Sequence, residues 1–146
     1  MTISSKALCA IYGPIGLLAL VATWGNNIHY LGLGFLGANR QFWEDTLANP
    51  ASRSITVDMF FLGLAVFVWM ILEARRLRMR GVWLYLIFGM LLAVSFTVPL
   101  FLINRERALA ALGAQAGGGS LQPIDAAGLA AIGIAAGTYS VVTLLR

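Results

Sequence analysis

Three long runs of the chain, residues 7–39, 81–104 and 126–145, contain no acid, lysine or arginine. A fourth apolar run, residues 59–72, lies between Asp58 and Glu73 and is followed by Arg75, Arg76, Arg78 and Arg80. A bilayer core about 30 Å thick is crossed by roughly 20 apolar residues in helix, and three of the runs meet that requirement unaided. No aqueous surface can be built from such a chain: 60% of its residues are hydrophobic, 11% are charged and its mean hydropathy is +0.84. Soluble domains carry about 25% charge. Residues 1–146 therefore read as one small integral membrane domain with the bilayer as its solvent.

The 59–72 run has 14 residues, about 21 Å of helix at 1.5 Å per residue. It falls short of the bilayer, so its bracketing acids lie close to hydrocarbon, where an acid is functional or paired. Asp58 and Glu73 are 15 residues apart, which separates them by about 22 Å along a helix. They cannot share a substrate atom, because paired-carboxylate catalysis needs roughly 5–10 Å. Glu73 has Arg76 at i+3 for a structural ion pair. Asp58 has no base at i+3 or i+4, so its expected partner is Arg53, or Arg105 or Arg107 from the end of the next helix. A ligand or proton site at Asp58 is the alternative.

These patterns predict an all-α bundle of four transmembrane helices over about residues 3–24, 54–78, 82–104 and 124–145. Residues 25–53 read as an outer interfacial loop, with Trp24, Tyr30, Phe35, Phe42 and Trp43 at the membrane boundary. Asn49-Pro50 resets the chain before Ser52 or Ser54 caps the second helix. Residues 108–123, with their glycine tract at 117–119, read as a flexible linker. Four of the ten basic residues fall in residues 75–80, and short loops rich in lysine and arginine stay cytoplasmic. That loop and both termini are accordingly expected on the cytoplasmic side of a bacterial inner membrane. The net charge of +4 is an orientation signal, and no nucleic-acid partner is expected.

Chemistry-bearing residues are sparse. Cys9 is alone, which excludes a Cys-x-x-Cys redox pair. His29 is the sole histidine, a weak candidate for ligating a pigment; protein metal sites need three or four ligands, so none is expected. Asp58, Phe61 and Trp69 share one helical face, with Ser95 and Thr97 available from the next helix. An apolar pocket with an acid at its mouth suits an isoprenoid or carotenoid-like ligand. Bound lipid or apolar pigment is the cofactor class this leaves open. The fourth helix is different in kind: Ala130, Gly133 and Gly137 form a small-residue stripe that lets another helix approach closely.

The order Asn49-Pro50, Asp58, Phe61, Trp69, Glu73-Ala74-Arg75-Arg76, Val98-Pro99-Leu100-Phe101-Leu102 and Arg105-Glu106 resembles an uncharacterised family of short bacterial membrane proteins. The resemblance covers about residues 8–107. It implies a membrane location and three helices, which makes the fourth helix an addition, and it transfers no catalytic residues. The function expected is a non-enzymatic accessory or assembly subunit that docks other membrane subunits, or a second copy, through the fourth helix. The alternatives are a membrane enzyme or binding protein for an isoprenoid-like ligand using Asp58, and, more weakly, a small transporter.

Overall fold

The computed structural model describes residues 3–113 and 122–145, and all regular structure among them is helical. The helices are α1 (Ile3–Asn27), α2 (Gly34–Thr46), α3 (Pro50–Arg76), α4 (Val82–Leu91), α5 (Val94–Ala111) and α6 (Pro123–Leu144), with a 3-10 stretch, Ile28–Leu33, between α1 and α2. Three stretches are long and apolar enough to cross a membrane: Ser5–Thr46, which contains most of α1, Pro50–Arg76 and Pro123–Leu144. Val82–Leu91 is apolar but shorter.

α3 begins earlier than its apolar centre suggests. The Asn49 side chain accepts a hydrogen bond from the Ser52 amide at 2.9 Å, and the Ser52 hydroxyl accepts one from the Asn49 amide at 3.3 Å. This reciprocal box satisfies two donors at the helix start, and Pro50 at the first helical position has its φ pre-set for the helix. Residues 34–46, expected as loop, form α2 instead. Its two glycines, Gly34 and Gly37, read as loop formers, but Arg40–Glu44 and Gln41–Asp45 are bonded at i, i+4 spacing, which supports helix. α2 folds back on the preceding stretch through Tyr30, whose hydroxyl donates to Asp45 at 2.8 Å. Trp43 then stacks on Phe60 of α3 at 5.8 Å.

The third expected helix, residues 82–104, is corrected by the structure. It is broken after Leu91, and Ala93 is extended, with φ −172° and ψ 127°. The chain then doubles back as a helical hairpin. Tyr85 of α4 accepts a hydrogen bond from Asn104 of α5 at 2.7 Å, and the Tyr85 and Phe101 rings meet edge-on at 5.5 Å. Nearer the turn, a Cβ at Gly89 would lie 2.9 Å from the Thr97 hydroxyl oxygen and 3.3 Å from Phe67. No proline or glycine marks the break at residues 92–93. A tertiary contact meets it, the Trp24 indole donating to the Leu92 carbonyl at 3.2 Å, while the Thr97 hydroxyl bonds back one turn to the Ala93 carbonyl at 3.3 Å. At about 15 Å, α4 covers only about half of a bilayer core.

α5 runs antiparallel along α1. Ser5 bonds Glu106, Gly16 lies against Phe96 and Pro99, and Trp24 reaches Leu92. The start of α1 and the ends of α3 and α5 are thus gathered at one end of the molecule. That end holds Lys6, Arg75, Arg76, Arg78, Arg80, Arg105 and Arg107, whereas Arg40 and Arg53 belong to the other. A straight crossing by residues 82–104 would set residues 105–107 at the far end from residues 75–80; the returning hairpin brings them to the same end. α6 meets α1 where both end, with Asn26 donating to Thr143 at 3.4 Å and Leu144 pressed on Gly25. The last turn of α6 therefore lies at the end opposite Ser5, which also displaces the expected arrangement of both termini together. Most of the expected linker, residues 114–121, lies outside the described residues. A small core of Met70, Ala74, Leu86 and Phe101 joins α3 to the hairpin.

The hairpin predicts opposite responses to one methyl group at two buried glycines. Gly89→Ala forces Thr97 and Phe67 to shift and should lower the melting temperature in detergent. Gly63→Ala meets nothing within 4 Å and should raise stability by about 0.4–1 kcal/mol, as read by circular dichroism melts of both variants.

Candidate functional site

The most concentrated chemistry lies at the arginine-rich end. Glu73, in the last turn of α3, is 8% exposed, and Glu106 of α5 is 2% exposed. Arg76 grips Glu73 with two bonds, from Nε at 2.7 Å and from Nη2 at 2.6 Å. Arg105 stands between the acids: its Nε bonds Glu73 at 2.7 Å and its Nη1 bonds Glu106 at 2.9 Å. The Ser5 hydroxyl donates to the other Glu106 oxygen at 2.8 Å. Two carboxylates and two guanidiniums make a neutral cluster contributed by α1, α3 and α5. Charges removed from water are tolerable when paired and hydrogen-bonded, and no buried side-chain polar atom among the described residues lacks a partner.

This geometry is suited to holding helices together. Every carboxylate oxygen already accepts a bond, and no described group of three or more histidine, cysteine or acidic side chains is placed to hold a metal. Arg105, one of the three candidate partners expected for Asp58, instead bridges Glu73 and Glu106, because α5 ends beside the end of α3. Asp58 is exposed near the start of α3 and makes no hydrogen bond or ion pair among the described residues.

The expected ligand face is not assembled. Phe61 is 70% exposed, while Trp69 packs edge-on against Phe101 at 5.7 Å. Ser95 is exposed beside the hairpin turn, and Thr97 is buried with its hydroxyl turned to Ala93. His29 is exposed in the 3-10 stretch. Ala130, Gly133 and Gly137 are exposed on α6, and open space surrounds the two glycines. Ser5 and Glu106 escaped the sequence reading. The signal for Glu106 was the polar run 104–107 ahead of the buried Leu109, a pattern of continuing helix that was read as its end.

Residues 11–107 match the family described as Protein of unknown function DUF2834. The chain belongs to that family. The match takes in Glu73, Arg76, Arg105 and Glu106 of this DUF2834 protein, and leaves Ser5 and α6 outside. No curated protein and no solved structure matches the chain.

Removing the bridge should unfasten the DUF2834 helices. Arg105→Ala leaves two buried acids facing each other, a loss of about 3–5 kcal/mol, whereas Arg76→Ala removes a side chain that is 62% exposed and should barely move the melt. Thermal unfolding of the two variants in the same detergent checks the order, and equal effects would contradict the bridging role of Arg105.

Proposed function

We propose that this DUF2834 protein is a non-enzymatic accessory or assembly subunit that receives another transmembrane helix on the small-residue face of α6. One observation carries the reading. α6 has no buried residue, and nothing approaches within 4 Å of the Cβ positions at Gly128, Gly133 or Gly137. Gly137 and Leu144 are seven residues apart, within about 20° on a helix, so the stripe continues the face that meets α1 at Gly25. It therefore looks into the angle between α6 and α1. Helix association in lipid is driven by close backbone packing at small residues, and a partner helix entering that angle supplies the packing that α6 lacks.

We also infer the membrane orientation. Among the described residues, seven basic side chains belong to one end of the helices against two at the other, which supports a cytoplasmic basic end in a bacterial inner membrane. In this reading α1, α3 and α6 cross, and the α4–α5 hairpin enters from the cytoplasmic side and returns to it. The last turn of α6 then lies on the outer side.

Two cysteine experiments in a Cys9→Ser background test these readings. Gly133→Cys should crosslink in native membranes to a second copy or to a stoichiometric partner, while Ala135→Cys, on the far side of α6, should not; no crosslink at Gly133 sinks the docking surface. Arg107→Cys should react with a membrane-impermeant maleimide from the same side as Arg78→Cys and from the opposite side to Ala48→Cys. Labelling of residue 107 together with residue 48 would restore a full crossing by residues 82–104.

A further inference from the structure

The outer flank of the α4–α5 hairpin is concave. A groove of about 410 Å³ runs along it, with Arg80 at its basic end and Leu84, Phe88, Leu92, Phe96 and Leu100 along its walls. From Gly81 to Leu92 it extends about 16 Å along α4, from the level of the arginine-rich turn to the hairpin tip. The walls are almost entirely carbon, and the mouth carries a positive charge. Glu73 and Glu106, the acids at this end, are taken up by Arg76 and Arg105. Arg75, Arg78 and Arg80 are exposed and bond no acid among the described residues.

The turn that delivers Arg80 is held in place. The Met79 amide bonds the Ala74 carbonyl at 2.8 Å, and the turn passes through left-handed conformations at Arg78, φ 53°, and Gly81, φ 77°. A cation fixed at the membrane surface above an apolar furrow matches a molecule with an anionic head and a hydrocarbon tail. We propose that the hairpin binds an anionic phospholipid, with one acyl chain in the α4–α5 groove and its phosphate on Arg80. Basic clusters beside membrane helices attract anionic headgroups; the groove adds what a diffuse patch lacks, a defined seat for the chain. This site lies on the hairpin and does not depend on the docking role of α6.

The test is native mass spectrometry of the delipidated full-length protein, titrated with phosphatidylglycerol or with phosphatidylcholine of the same acyl chains. Phosphatidylglycerol should be retained about fivefold more, the factor corresponding to about 1 kcal/mol for one basic residue at a lipid surface. Arg80→Gln should bring the two lipids to parity, and Arg75→Gln, outside the groove, should leave the preference intact. Leu100→Trp should weaken retention of phosphatidylglycerol by filling the groove. Equal retention of the two lipids by the unaltered protein overturns the proposal. So does an unchanged preference in Arg80→Gln, or full displacement of the lipid by glycerol phosphate, which has the head but no chain. Arg80 makes no side-chain hydrogen bond or ion pair among the described residues, so a matching circular dichroism melt for Arg80→Gln separates loss of binding from loss of structure.

Discussion

The Arg105 side chain, set between Glu73 and Glu106, is the constraint from which the rest of the arrangement follows. A carboxylate at the end of α3 and another on α5 repel unless a cation lies between them, and the guanidinium fork reaches both. Once that contact exists, the end of α5 belongs beside the end of α3, and residues 82–104 can no longer run straight through a bilayer. Ser5 extends the same logic to α1. Three helices that have little apolar surface buried among them are thus registered by polar contacts, where the hydrocarbon surroundings supply no hydrophobic drive for helix association.

Bending the chain back brings a second requirement. Backbone groups freed at a turn need internal partners: the Leu92 carbonyl accepts from the Trp24 indole of α1, and the Ala93 carbonyl accepts from the Phe96 and Thr97 amides that open α5. Gly16 and Gly89 allow the approach, since each sits where an added carbon would crowd its neighbour. Gly16 and Gly89 are thus already occupied by a close neighbour, whereas Gly128, Gly133 and Gly137 of α6 face open space.

How far this was legible in the sequence follows from what each signal measures. Length and hydropathy identify α1 and α6 because a membrane-length apolar helix needs no further information, and α3 follows once its short apolar centre is extended through the polar residues at both ends. The same measure cannot separate one crossing from two shorter helices folded against each other, so residues 82–104 were read as a span. The break carries no glycine, proline or polar residue; Pro99 lies inside α5 instead. Asn49-Pro50 was read as punctuation, although Asn49 caps α3 and Pro50 begins it. The candidate site was harder still. Local spacing speaks to Arg76 beside Glu73, but no local rule connects Glu73 with a residue 32 positions away. With Arg105 considered only as one of three candidate partners for Asp58, Glu106 has no role to be noticed for.

The antiparallel hairpin also settles the electrical character of its own tip. A helix carries about half a negative charge at its C-terminus and half a positive charge at its N-terminus. At residues 91–94 the end of α4 and the start of α5 lie side by side, so the two partial charges oppose each other at close range. Their fields oppose each other, and the apex of the hairpin is nearly neutral. A broken helix that turns one terminus toward an ion acts through an uncompensated end; at this apex each end offsets the other.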